Sequence, residues 1–151
     1  MKKNHLKIDT LHGSLIRLNK IHRKMAGYKF KEINLTEGKP KILNFLSDNP
    51  GCSQREVATF CRIEPATTTN ILAGMEKEEL IYRERNPKDK RILNVFLTEK
   101  GKKSQMKVEK VFMKLDEICF DGFSEEERKE AINLLNRLYE NLSKEKEKIE
   151  E

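Results

Sequence analysis

Few residues in this chain could do covalent or metal chemistry, and they do not converge. His5, His12 and His22 show no metal-ligand spacing, and no carboxylate or cysteine cluster accompanies them. His22 instead falls on an apolar helical stripe, which suits packing or an interface. Cys52, Cys61 and Cys119 are odd in number and lack CxxC spacing, which argues against both a disulfide framework and a zinc ribbon. Cys61 and Cys119 read as small core residues. Cys52 precedes a helix amino terminus, where a thiolate could be stabilised, or is a plain loop cysteine. No arrangement of serine, cysteine and carboxylates suggests catalysis, so neither an enzyme nor a cofactor is expected. What remains is recognition by cations and hydrogen-bonding side chains. Arg83, Arg85, Lys88, Lys90 and Arg91 crowd one short stretch, with Asp89 among them, and grouped cations of this kind neutralise phosphates or other anionic surfaces.

The elements that must position this stretch can be read from spacing. Residues 80–85 and 92–97 are rich in β-branched and aromatic types and predict two strands joined by Asn86 to Arg91, a β-hairpin with a basic loop. Ahead of it, Ser53-Gln54-Arg55-Glu56 is a capping-box pattern that opens a short helix with Val57, Ala58, Phe60 and Cys61 as apolar positions. Glu64-Pro65 opens a further helix, proline being pre-set for the first helical position, with Ile71, Leu72 and Met75 on one side. An earlier helix carries Ile42, Leu43, Phe45 and Leu46 and stops at the turn Asn49-Pro50-Gly51. Helix, short helix, helix and basic hairpin in that order predict a helix-turn-helix with a wing over residues 36–98.

Longer helices flank this lobe. From Ile8, the residues Leu11, Leu15, Leu18, His22 and Met25 recur at spacings of three and four, opposite the basic face Lys7, Arg17, Lys20 and Lys24. Thr98 to Gly101 starts a helix with Met106, Val108, Val111, Phe112, Leu115, Ile118 and Cys119 on its apolar side. After Asp121-Gly122-Phe123, a second capping box, Ser124-Glu125-Glu126-Glu127, precedes the stripe Ile132, Leu135, Leu138 and Leu142. The tail from Lys144 alternates charges and is expected to fray. The fold class is therefore mainly α with a small β-hairpin wing.

Composition adds a constraint. Only 36% of the 151 residues are apolar and 7% aromatic, with no tryptophan, against 37% charged, so a single-chain core would be thin. No run of apolar residues is long enough to span a bilayer, and the lysine-rich start is not followed by an apolar signal segment. No membrane partner and a cytoplasmic location are expected. The net charge of +6 is unevenly spread: residues 1–35 carry 9 basic and 2 acidic groups, net +7, and residues 104–151 carry 9 and 13, net −4. Oppositely charged ends with uncovered apolar stripes predict a homodimer in which Leu11, Leu15, Leu18 and His22 join Leu135, Leu138 and Leu142 across a two-fold axis. The other reading is pairing within one chain.

The run Asp89-Lys90-Arg91-Ile92-Leu93-Asn94-Val95-Phe96-Leu97-Thr98, with Gly101 after it, resembles the wing pattern D-x-R, five residues, L-T-x-x-G of the multiple-antibiotic-resistance regulator (MarR) family. Thr69 to Ile81 is similar to that family's recognition helix and following strand, and the flanking helices fit its order. The resemblance implies a winged-helix homodimer that binds duplex DNA, mostly as a transcriptional repressor. It also implies dimerisation through residues 1–35 and 99–151, a wing arginine at Arg91 with Asp89 holding nearby basic groups, and release by a small aromatic or anionic effector. This chain departs from the family at Asn70 and Gly74, where basic residues are frequent, and at Glu79, where glycine is usual.

With Ile71, Leu72 and Met75 inward, Thr68 also turns inward, and Ala66, Thr69, Asn70, Ala73 and Lys77 turn outward. Asn70 can pair with adenine, Thr69 can donate or accept, and the alanine methyls can meet thymine methyls. Thr67, Thr68 and Thr69 either contact DNA or only cap and solvate the first turn. No Lys or Arg lies between Ile63 and Glu76, so phosphate neutralisation falls to Arg55, Arg62, Lys77, Arg83, Arg85, Lys88, Lys90 and Arg91. The cation-free helix also leaves open a winged-helix module that meets protein instead of DNA.

Overall fold

A computed structural model describes residues 10–36 and 38–150. Ile8 of the first stripe and Lys7 of the basic face opposite it, together with His5, lie outside the described residues. The chain divides into two compact units, one ending at Leu115 and the other beginning at Asp116.

In the first unit, α1 spans Leu11–Glu32, and its capping residue Thr10 accepts from the Gly13 amide at 3.1 Å. Helix α2, Lys39–Asp48, starts on Gly38 with Pro40 in its first turn and buries Ile42, Leu43, Phe45 and Leu46. Strand β1, Cys52–Ser53, leads into α3, Gln54–Cys61, whose capping box is formed in both directions between Ser53 and Glu56. Helix α4, Pro65–Lys77, is followed by β2, Ile81–Arg85, and β3, Leu93–Leu97. The sheet order is β1-β3-β2, all antiparallel, with Cys52 opposite Val95 and Arg83 opposite Val95 on the other side. The predicted hairpin thus gains a third strand, two residues long and too short to show alternation in the sequence.

The core of this unit gathers Ile42, Leu43 and Leu46 of α2, Val57 and Cys61 of α3, Leu72 and Met75 of α4, Ile81 and Val95 of the sheet, and Val108 of α5, Glu99–Cys119. A smaller cluster joins Ala26 of α1 to Val111 and Leu115, with Phe30 edge-on to Phe112 at 5.4 Å. Phe60, predicted among the apolar positions of α3, is 66% exposed and stacks its ring on Phe45 at 4.3 Å. In an eight-residue helix Val57, Ala58 and Cys61 already fill the inward face. Cys119, predicted as a core residue, is exposed, because burial on α5 falls on Val108, Val111 and Leu115 instead.

The second unit contains α6, Glu125–Glu150, with the predicted capping box closed between Ser124 and Glu127. Phe120 meets Phe123 edge-on, and the Arg128 guanidinium lies over the Phe120 ring at 5.2 Å. Where the sequence predicts fraying, α6 continues through the charged tail to Glu150, with Lys148 paired to Glu145 and Lys146 to Glu150. No helix among the described residues is long and apolar enough to cross a membrane.

The junction after α4 explains one departure noted above. Glu79 has φ 59°, the left-handed region in which an ordinary side chain crowds the following carbonyl. Its side chain contributes only an exposed 3.7 Å pair with Lys100. Glu79→Gly is therefore expected to raise the unfolding free energy by about 1 kcal/mol, read as an increased urea midpoint with unchanged slope. A lowered midpoint would contradict this reading of the junction.

Candidate nucleic-acid interface

Helix α4 is built with two faces. Leu72, Met75 and Thr68 are fully buried, and Ala66, Thr67, Thr69, Asn70, Ala73 and Lys77 are exposed. The inward hydroxyl of Thr68 is not left unpaired, since it donates to the Ile63 carbonyl at 3.5 Å. The outward face carries the hydrogen-bonding side chains of Thr67, Thr69 and Asn70 between the small Ala66 and Ala73, with Lys77 at its far end, a surface that lets a helix sit close to a groove floor. Its first turn is neither acidic nor basic.

The wing loop is ordered by its own side chains. Asn86 Oδ1 accepts from the amides of Lys88 and Asp89 at 2.8 and 3.2 Å, and its Nδ2 donates to Asn94 Oδ1 across the hairpin. Asp89 accepts the Arg91 amide, then Arg91 Nε on one oxygen and Nη2 on the other, each side-chain bond at 3.1 Å. The Arg91 hydrogen bonds hold the Asp89 carboxyl below its ordinary range. One edge of the guanidinium is gripped, while the side chain is 91% exposed, so its Nη1 edge faces outward as a pre-oriented donor.

Arg83 is placed differently from the other cations. Its side chain is only 19% exposed; Nε and Nη2 both donate to Glu76 Oε2 on α4, and Nη1 donates to Gln54 Oε1 at 3.5 Å. Gln54 Nε2 in turn donates to Thr69 Oγ1 at 2.6 Å. The geometry gives Arg83 internal partners that tie the wing strand to α4 and α3. Arg55, Arg62, Lys77, Arg85, Lys88 and Lys90 are exposed, and Arg62 caps α3 in the left-handed region. Gln54 and Glu76 were not singled out from the sequence. The only trace of Gln54 was its place inside a capping box, and Glu76 meets Arg83 only after the chain has turned through Glu79.

Between α3, the start of α4 and the wing lies an open groove of about 630 Å³, lined by Gln54, Arg55, Ala58, Thr59, Pro65, Arg91, Ile92 and Leu93 among others. Arg55 and Arg91 therefore border the same concave surface as the first turn of α4. Cys52 offers no nucleophile near it: burial, with the Glu56 carboxylate adding, pushes its thiol up to about 11. Among the described residues no group of His, Cys, Asp and Glu could hold a metal ion.

The Glu76–Arg83 pair has a pH consequence. Hydrogen bonding from Arg83 lowers the Glu76 pKa from its ordinary 4.5. The pair's stabilisation is thus fully present above that value and is lost as pH falls through the lower folded value. Urea midpoints followed from about pH 6 to about pH 3 are expected to fall less steeply in Glu76→Gln than in the unsubstituted protein. Equal slopes would remove the pair from the acid limb.

A sequence profile of the MarR family matches residues 35–93. An uncharacterised HTH-type transcriptional regulator of Bacillus subtilis, YybA, is 26% identical over 125 residues, covering 83% of each chain. The crystal structure of MarR superposes with a TM-score of 0.79 at 26% identity over 98% of both chains. Two more distant neighbours share the fold: a Staphylococcus aureus MepR variant bound to an oligodeoxyribonucleotide (TM-score 0.60, 23% identity, 89% and 99% of the two chains) and Bordetella bronchiseptica BpsR, whose DNA binding is regulated by 6-hydroxynicotinic acid (0.72, 21%, 88% and 95%).

Proposed function

We propose that the chain, whose residues 35–93 match the MarR family, is a winged helix-turn-helix transcriptional regulator of that family that binds DNA as a homodimeric repressor on a pseudo-palindromic operator. The observation that carries this reading is the pairing of an exposed, uncharged polar face on α4 with a wing arginine gripped on one edge by Asp89. In this reading Ala66, Thr67, Thr69, Asn70 and Ala73 face the major groove. Arg91 enters the neighbouring minor groove, where narrow A·T tracts concentrate negative potential. Phosphates are met by Arg55, Arg62, Lys77, Arg85, Lys88 and Lys90. Arg83 serves the interface by position, since each of its three nitrogens already donates to Glu76 or Gln54.

Residues 36–98 form the DNA-binding lobe, and residues 1–35 and 99–151 supply the dimer surface. Leu11, Leu15, Leu18, Leu135 and Leu142 are exposed in the single chain, with His22 and Leu138 half-buried. A second copy is the partner whose charge and apolar stripes match them. Sedimentation at micromolar concentration and moderate salt is expected to give twice the 17.7 kDa chain mass, and a footprint is expected to show two half-sites about one helical turn apart. A monomer with a single-site footprint would overturn the proposal. Operator release by a small aromatic or anionic effector follows the behaviour of BpsR. It is to be abandoned if a panel of phenolic carboxylates changes neither thermal stability nor operator affinity.

A further inference from the structure

The outward face of α4 holds one hydroxyl whose hydrogen-bonding sense is already chosen by the fold. Arg83 carries donors only. Its approach to Gln54 Oε1 orients the Gln54 amide, because the reverse orientation would set two donors against each other. Gln54 Nε2 is thereby turned to Thr69 and donates to Oγ1 at 2.6 Å. The Thr69 proton goes back to the Pro65 carbonyl oxygen at 3.0 Å. The bonds form a ring that leaves α4 at Glu76, passes through β2 and α3, and returns to α4 at Thr69. What Thr69 has left for a ligand is a lone pair and a methyl group.

We infer that Thr69 is an acceptor-only base reader, held in that state by Gln54 and Arg83, and that it selects a base presenting an exocyclic amino group in the major groove. Those bases are adenine, through N6, and cytosine, through N4; guanine and thymine present only acceptors along that edge. Gln54 and Arg83 are positioning residues, since they act through Thr69. This inference rests on the specific duplex recognition proposed above and adds the chemical class of base at one position of each half-site.

The test begins with selection from a random duplex library by the full chain and by Thr69→Ser, Thr69→Val and Gln54→Ala. The unsubstituted chain and Thr69→Ser are expected to share one half-site position that Thr69→Val loses, with the rest of the consensus kept. At that position the adenine or cytosine is then replaced by its deamino analogue, which removes the amino group alone. The replacement is expected to weaken binding by the unsubstituted chain and Thr69→Ser about threefold to tenfold, and to leave Thr69→Val unchanged. Gln54→Ala is expected to fold normally and to show a smaller ratio between the two duplexes. Deamino substitution that leaves the unsubstituted chain unaffected, or that weakens Thr69→Val equally, would overturn the acceptor role. An undiminished ratio in Gln54→Ala would overturn its positioning role. A consensus whose every position survives Thr69→Val defeats this inference alone, whereas failure of every variant to enrich any sequence defeats specific recognition itself.

Discussion

Gly101→Ala is expected to lower the unfolding free energy by at least about 3 kcal/mol, an effect that places it among the severe single substitutions. A Cβ added at this position would lie 1.9 Å from the Leu80 carbonyl oxygen and 3.3 Å from Leu97 Cδ2. The obstacle is backbone, so no rotamer change relieves it. That carbonyl also accepts the Thr98 amide at 3.1 Å, while the Thr98 hydroxyl donates to the Glu79 carbonyl oxygen and accepts from the Gly101 amide. One added methyl group therefore forces apart the end of α4, the root of the wing and the start of α5. Gly74→Ala is the internal control: nothing lies within 4 Å of its added Cβ, and a helix-interior glycine replaced by alanine is expected to gain about 1 kcal/mol. Chemical denaturation of the two variants checks both signs. A Gly101→Ala variant as stable as the unsubstituted chain would mean that the seam of Leu80, Thr98 and Gly101 does not hold the wing root.

Arg91→Ala is expected to weaken operator binding by about 1–3 kcal/mol per half-site, about fivefold or more in Kd and compounded over two wings, with thermal stability unchanged. Stability is spared because the side chain is exposed and its one pair, with Asp89, is a surface contact. The effect on binding is large because a guanidinium already gripped along one edge loses less freedom on entering a groove than a free one. Asp89→Asn is expected to weaken binding less than Arg91→Ala, and to add nothing once Arg91 is gone, since the two residues act as one unit. Additive losses in the double variant would break that unit apart. Lys88→Ala, at the loop tip, should weaken all duplexes alike and reduce the salt slope.

Much of this arrangement was legible in the residues. The inward and outward faces of α4 follow from helical periodicity applied to Ile71, Leu72 and Met75, and Thr68 falls inward on the same rotation. Both capping boxes could be read because their partners lie within four residues of each other. Glu79 was visible as a departure, and its left-handed backbone shows why glycine suits that position. Long-range partners could not be read from local spacing. Strand β1 exists only because β3 lies beside it. Arg83 looked like any other cation of the basic stretch until Glu76 and Gln54 were brought against it by the turn at Glu79 and the sheet. Cys119 continued an apolar stripe that the described contacts of α5 leave unused beyond Leu115.

A competition titration decides whether α4 and the wing read a particular duplex. Affinity for the duplex selected from a random library is measured against that for scrambled duplex, at salt from about 50 to about 200 mM. The selected duplex is expected to bind at least about a thousandfold more tightly, and both affinities are expected to fall with salt at about −0.9 per phosphate neutralised. Equal affinity for the two duplexes at every salt concentration would contradict sequence-specific recognition by this lobe.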